Sequence, residues 1–123
     1  MEEDKLTGHI LGIAFRIHTV LGPGLLESIY EIVLAHEMRK AGFLVATQVE
    51  MPVMYDGIRL ALAFRADIIV ESQVIIELKS VEALAPVHSK QLLNYLRLSG
   101  LKTGLLMNFN TIHLKNQVVR LSN

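Results

Sequence analysis

The stretch FRADIIVESQVIIELK, residues 64–79, decides the fold. Two apolar, β-branched segments flank a short polar turn, which is the pattern of a β-hairpin. Charged residues interrupt both segments: Asp67 lies in the first, and Glu77 and Lys79 lie in the second. Because side chains alternate across a strand, Glu77 and Lys79 share one face of the predicted sheet.

The length of the turn determines whether Asp67 joins that face. A two-residue turn would pair Asp67 with Leu78 and point the aspartate to the opposite side. A three-residue turn, 71–73, would pair it with Glu77. We favour the three-residue turn, because one face then holds only apolar side chains. These are Ile68, Val70, Val74, Ile76 and Leu78.

The charged residues of this hairpin suggest a metal site. Two carboxylates that face each other in a sheet repel unless positive charge lies between them, and Mg²⁺ prefers oxygen ligands. Asp67 and Glu77 are therefore candidate ligands, and Lys79 is placed to orient or deprotonate an attacking water. The alternative is a solvated face with salt bridges. The apolar residues around the charges favour the metal site, since buried charge is costly.

Helical and strand periodicities extend on both sides of the hairpin. Helices are expected at residues 4–20, 25–40 and 86–99, and strands at about 44–55, 58–70, 74–80 and 103–109, with a further edge strand within 112–121. In the second helix the apolar stripe is expected to be Leu26, Ile29, Val33 and Leu34.

This order of elements predicts an α/β fold. A central mixed β-sheet, consisting of an antiparallel meander plus a strand after a crossover helix, would be flanked by helices. No internal repeat or linker interrupts the sequence, so we expect a single domain over residues 1–123.

Three residues outside the hairpin are further candidates. Gln91 and Tyr95 lie four apart on the third helix and share a face, so they either support one ligand or mark the edge of an amphipathic helix. Glu27 lies in the first turn of the second helix, where the free amide groups favour a carboxylate in any protein. The sequence leaves both alternatives open for each of these positions.

The charge composition gives no support to nucleic-acid binding. Twelve basic and twelve acidic residues give a formal net charge of zero, so no global electrostatic attraction to nucleic acid is expected. Hydrophobic residues make up 51% of the chain, which is more than a small domain buries easily. We therefore expect a homo-oligomer or a protein partner, with nucleic acid as a possible substrate that net charge does not support.

The remaining composition excludes several classes. Cysteine is absent, which rules out disulfides and cysteine-ligated zinc. The acidic start and the charged interruptions of the apolar stretch 10–21 indicate neither an export signal nor a membrane span, so a cytoplasmic location is expected. The five histidines lack metal-ligand spacing, and no serine lies in a nucleophile-elbow sequence.

Several segments together resemble a known family. The run GLLESIY, residues 24–30, resembles the signature of the GxxExxY protein family. It is followed at similar positions by RADIIV, IIELKSV, PVHSKQLLNYLRLSG and GLLMNFN, so the resemblance covers roughly residues 8–110. That family is placed in the PD-(D/E)XK nuclease superfamily, which implies a restriction-endonuclease-like core and Mg²⁺-dependent or Mn²⁺-dependent nuclease activity.

The resemblance also implies roles for individual residues. By position, Asp67 and Glu77 would be metal ligands, Lys79 the catalytic lysine, and Glu27 a helix carboxylate that completes the site. The spacing of Gln91 and Tyr95 resembles the Q-xxx-Y element of RecB-like nucleases, where it supports the active site.

Three functions follow as hypotheses. The first is a Mg²⁺-dependent nuclease that hydrolyses phosphodiester bonds of DNA or RNA. The second is a non-catalytic module with a nuclease fold that acts through oligomerisation or partner binding. The third is hydrolysis of small nucleotides or modified ends, which keeps the chemistry and needs no basic surface.

Overall fold

The computed structural model describes residues 1–123, apart from the side chains of residues 61–63. The elements follow the predicted order, with small shifts at their ends. They are α1 (Glu3–Leu21), α2 (Glu27–Lys40), β1 (Val45–Tyr55), β2 (Ile58–Val70), β3 (Val74–Lys79), α3 (Pro86–Ser99), β4 (Thr103–Asn108), a short 3-10 helix (Leu114–Gln117) and β5 (Val118–Ser122).

The strands form one mixed sheet in the order β1-β2-β3-β4-β5. β3 and β4 run parallel, because α3 connects them as a crossover, and every other neighbouring pair is antiparallel. The predicted fold class, an antiparallel meander plus a strand after a crossover helix, is confirmed. The predicted edge strand near the end of the sequence is β5.

Two apolar cores pack against the sheet. The first core joins α1 and α2 to β2, β3 and β4, and it includes Leu6, Ile10, Leu34, Ile68, Ile76 and Met107. The second core joins α3 to the sheet, and it includes Ala66, Ile75, Leu92, Leu96 and Leu106. No helix in the described residues is long and apolar enough to cross a membrane.

The hairpin between β2 and β3 has the three-residue turn that the apolar pattern predicted. Ile68 pairs with Ile76 and Val70 pairs with Val74. Glu71 and Ser72 adopt left-handed backbone angles, with φ of 53° and 52°, which closes the turn. All five apolar residues of the predicted face contribute to the first core, so this prediction is confirmed.

The hairpin of β1 and β2 changes sides along its length. Val45 and Ile68 pack into the first core, whereas Val49 and Ala66 pack into the second. Regular alternation would place Ala66 and Ile68 on the same face. The twist is therefore concentrated at Asp67, which lies between them.

The predicted apolar stripe of α2 is partly wrong. Leu26 is 73% exposed and Ile29 is 40% exposed. The helix instead buries Tyr30, Leu34, Ala35 and Met38. Tyr30 determines this orientation, because its ring stacks on Phe109 with a centroid distance of 4.4 Å.

Candidate functional site

A fixed loop precedes helix α2. Gly24 has a φ of 97°, which a residue with a side chain rarely adopts. The buried Tyr30 hydroxyl donates to the Gly22 carbonyl at 2.6 Å and accepts from the Leu25 backbone N–H at 3.1 Å. The glycine and tyrosine of the GLLESIY run therefore fix the point at which α2 begins, and with it the position of Glu27.

Glu27 links this helix start to the end of β3. Its Oε1 accepts a hydrogen bond from the Ser80 backbone N–H at 3.2 Å. The Ser80 hydroxyl in turn donates to the Leu25 carbonyl at 2.6 Å. Glu27 thus lies beside the strand that carries Glu77 and Lys79.

Asp67 and Glu77 meet where the β2–β3 ladder ends. The Glu77 Oε1 accepts from the Asp67 backbone N–H at 3.2 Å, and the Asp67 Oδ2 accepts from the Leu78 backbone N–H at 2.9 Å. The two carboxyl groups lie close enough for the charge of Asp67 to raise the pKa of Glu77. The structure therefore brings together the two acidic residues that the hairpin register predicted to be neighbours.

The environment of this pair disfavours two negative charges. Burial, together with the charge of Asp67, raises the pKa of Glu77 from 4.5 to about 8. Burial also raises the pKa of Asp67, with a contribution from the charge of Glu27, while the backbone hydrogen bond from Leu78 lowers it. A shared proton or an added cation would relieve this repulsion.

Lys79 and Tyr95 lie close enough to the acidic pair for electrostatic interaction with Asp67 and Glu77. The Lys79 charge lowers the pKa of both carboxyls, although Lys79 takes part in none of the ion pairs found among the described residues. Burial raises the pKa of Tyr95, and the charges of Glu77 and Asp67 raise it further. Tyr95 also stacks on Phe64 at a centroid distance of 4.0 Å.

Gln91 and Glu27 are less closely associated with the pair. Gln91 is exposed on α3, and the part of the chain that the structure describes gives its side chain no hydrogen bond. The Glu27 carboxylate is directed to Ser80. Among the described residues, no three acidic or histidine side chains are already grouped closely enough to hold a metal ion.

Two open cavities flank the start of α2. One, of about 400 Å³, is lined by Glu27, Ser28, Glu31, Gln48 and Asp67. The other, of about 480 Å³, shares Glu27 and Ser28 with the first and continues to Ser80 and Asn110. Glu27, Glu31 and Asp67 therefore line accessible space of the size that small ligands occupy.

Three residues near this site were missed by sequence reasoning. Glu31 and Gln48 line the first cavity, and the Gln48 Nε2 donates to the Glu31 Oε1 at 2.6 Å. Asn108, fully buried, donates to the Val81 carbonyl and accepts from the Val81 N–H, both at 3.0 Å, and so anchors the loop after β3. Only Glu31 had a usable signal, because it follows Glu27 by one helical turn.

The arrangement defines a class of protein: an α/β domain with a mixed sheet and an acidic pair beside a lysine on the central hairpin. The family model of the PD-(D/E)XK nuclease superfamily matches residues 4–121. The chain belongs to this superfamily. No curated protein and no solved structure matches the chain at a significant level.

Proposed function

We propose that this protein is a divalent-cation-dependent phosphodiesterase that acts on nucleic acid. Asp67 and Glu77 would hold the cation, which we infer to be Mg²⁺ or Mn²⁺, with Glu27 as a further carboxylate. Lys79 would act on the attacking water, and Gln91 and Tyr95 would support the site or the substrate. The nuclease superfamily to which the chain belongs makes phosphodiester hydrolysis the first reaction to test.

The observation that supports this proposal most strongly is that the backbone holds two carboxyl groups side by side. Each accepts a hydrogen bond from the backbone of the opposite strand, so neither is free to turn away without losing that bond. Their oxygens match the ligands that Mg²⁺ and Mn²⁺ prefer. Partial burial of the pair would make a cation an effective counter-charge, because Coulomb interactions strengthen as contact with water decreases.

The cation, Lys79 and Tyr95 would each have a separate role in the hydrolysis. A bound cation would lower the pKa of a water ligand and offset negative charge on the phosphodiester. The Lys79 ammonium would orient the attacking water and stabilise charge that develops on the phosphate oxygens. The Tyr95 hydroxyl, held by the stacked Phe64 ring, would donate a hydrogen bond to a phosphate or to a site carboxylate.

A cleavage assay tests this proposal. Single-stranded and double-stranded DNA and RNA, together with free nucleotides, are incubated with wild-type protein in Mg²⁺, Mn²⁺ or EDTA. We expect cleavage only with metal, and a loss of about 100-fold or more in Glu77→Ala and Lys79→Ala, as for removal of a group that stabilises a transition state. Glu82→Ala, which changes an exposed carboxylate on the loop after β3, is the matched control.

Two results would reject the enzymatic proposal. One is equal activity in wild type, Glu77→Ala and Lys79→Ala, which would indicate a contaminating nuclease. The other is no metal-dependent cleavage of any substrate together with no binding of Mn²⁺ by calorimetry. Cleavage of free nucleotides alone would keep the chemistry and change the substrate.

A second candidate function is assembly, favoured by the tip of the β1–β2 hairpin. Large apolar side chains there are exposed: Met54, Tyr55, Ile58 and Leu60. A second copy of the chain would cover them and explain part of the high hydrophobic content. Light scattering should then give a dimer for wild type and a monomer for the double variant Tyr55→Ser with Ile58→Ser. A monomeric wild type at all concentrations would reject this candidate.

A further inference from the structure

Gln48 has an unusual backbone conformation in the middle of β1. Its φ is 50°, a left-handed value that is costly for a residue with a side chain. The other non-glycine residues with positive φ in the described part of the chain lie in turns: Asp56, Glu71 and Ser72. Strain inside a strand persists only where the surroundings hold it, and such positions are concentrated at functional sites.

This conformation occurs opposite Asp67. The ladder between β1 and β2 passes from the pair Thr47 and Ile68 to the pair Val49 and Ala66, and it skips Gln48 and Asp67. At the same point the hairpin changes from the first core to the second. The register is the same on both sides of this point, so no residue is inserted, and the left-handed backbone of Gln48 accounts for the change of side.

A hydrogen bond ties Gln48 to the helix that carries Glu27. The Gln48 Nε2 donates to the Glu31 Oε1 at 2.6 Å, a short bond to a charged acceptor. Glu31 follows Glu27 by one helical turn, and both residues line the same cavity as Gln48 and Asp67. The strained strand residue is thus anchored to the helix on the other side of the cavity.

We propose that Gln48 and Glu31 are positioning residues for the acidic pair. Their hydrogen bond holds the left-handed backbone of Gln48, and the twist that results keeps the Asp67 carboxylate beside Glu77. Neither residue contacts the cation in this proposal, which rests on the proposed cation site. Loss of the hydrogen bond would let β1 relax toward regular pairing with β2 and turn Asp67 away.

The test separates backbone conformation from side-chain contact. Gln48→Ala removes the hydrogen bond but keeps a Cβ that disfavours the left-handed angle, whereas Gln48→Gly removes the bond and tolerates that angle. Glu31→Gln keeps an oxygen that accepts from Gln48, whereas Glu31→Ala does not. Glu50→Ala, an exposed change two residues further along β1, is the control.

Binding of Mn²⁺ is measured by calorimetry, and exchange of the Leu78 amide hydrogen is measured by NMR without metal. Gln48→Ala and Glu31→Ala should each weaken Mn²⁺ binding about tenfold and speed exchange of the Leu78 N–H, which donates to Asp67. The double alanine variant should be no worse than either single one, because both remove the same bond. Gln48→Gly and Glu31→Gln should restore both readouts to near the Glu50→Ala values.

Three results would overturn the positioning role. Gln48→Ala could bind Mn²⁺ and exchange like wild type, Gln48→Gly could be as impaired as Gln48→Ala, or Glu31→Gln could be as impaired as Glu31→Ala. The last result would make the Glu31 charge a direct contributor. If wild type binds no Mn²⁺, the proposed function fails, and exchange of the Leu78 amide still decides whether Gln48 positions Asp67.

Discussion

Replacement of Glu77 by glutamine should make the folding stability of this protein much less sensitive to pH. In wild type, burial and the charge of Asp67 raise the pKa of Glu77 from 4.5 to about 8. Glutamine has nearly the same size and retains an oxygen that accepts the Asp67 backbone N–H. The substitution therefore removes the ionisation while it preserves the packing.

The size and sign of the effect follow from this change in pKa. Below pH 4.5 the carboxyl is protonated in both the folded and the unfolded chain. Between pH 4.5 and about 8 the unfolded chain has lost the proton that the folded chain keeps, so the free energy of unfolding falls as pH rises. One pKa unit corresponds to about 1.4 kcal/mol, and the total loss by pH 8 is on the order of 3 to 5 kcal/mol. That is a large fraction of the stability of a small domain.

Urea denaturation in EDTA, followed by circular dichroism at intervals from pH 5 to pH 8.5, measures this effect. Wild type should lose stability across the window, whereas Glu77→Gln should lose far less. Glu82→Gln, a change at an exposed carboxylate, should follow wild type. Parallel curves for wild type and Glu77→Gln would refute the reasoning, since Glu77 would then titrate alike in the folded and unfolded chains.

Three further predictions concern the cation, the loop before α2 and the packing of α3. At pH 8, Mn²⁺ at about 100 times its dissociation constant should raise the free energy of unfolding of wild type by about 3 kcal/mol. Asp67→Asn should abolish this gain in stability. Equal gains in both proteins would place the cation elsewhere. Tyr30→Phe should lower the free energy of unfolding in urea by about 1 to 3 kcal/mol, because the Gly22 carbonyl and the Leu25 N–H lose their hydrogen-bond partner. An unchanged denaturation midpoint would show that the Tyr30 hydroxyl does not stabilise this loop. Gly104→Ala should destabilise by about 1 to 3 kcal/mol, since the new Cβ would lie 3.0 Å from Leu92, and a melting temperature equal to wild type would show that Leu92 moves aside at no cost.

The periodicity of apolar residues in the sequence predicted most of the helices and strands. The length chosen for the β2–β3 turn predicted the register of the central hairpin. Ile68, Val70 and Ile76 lie on one face only if the turn has an odd number of residues, and three is the short turn that meets this condition. The structure has that turn, and those residues lie in the first core. Strong apolar patterning therefore predicted both the register and the meeting of Asp67 with Glu77.

Other features of the site have no signal in the sequence. Glutamine is an ordinary residue at an exposed strand position, and nothing in its type predicts the left-handed angle of Gln48. The contact between Gln48 and Glu31 depends on how α2 packs against β1, which is a tertiary property. The exposure of Leu26 and Ile29 was missed for the same reason, because the stacking of Tyr30 on Phe109 determines which face of α2 is buried.

The acidic pair is difficult to explain as a stabilising feature of the fold. A partly buried carboxyl pair opposes folding at neutral pH, and apolar residues of similar volume at such positions are often neutral or stabilising. The surrounding β2 and β3 residues are apolar, so the local environment favours replacement of Asp67 and Glu77 by hydrophobic residues. The backbone nevertheless donates a hydrogen bond to each carboxylate. Such hydrogen bonds are stronger when the acceptor is charged, so they favour the charged form of each group. A divalent cation, as proposed above, would resolve this contradiction, because its positive charge would offset the repulsion between the two carboxylates.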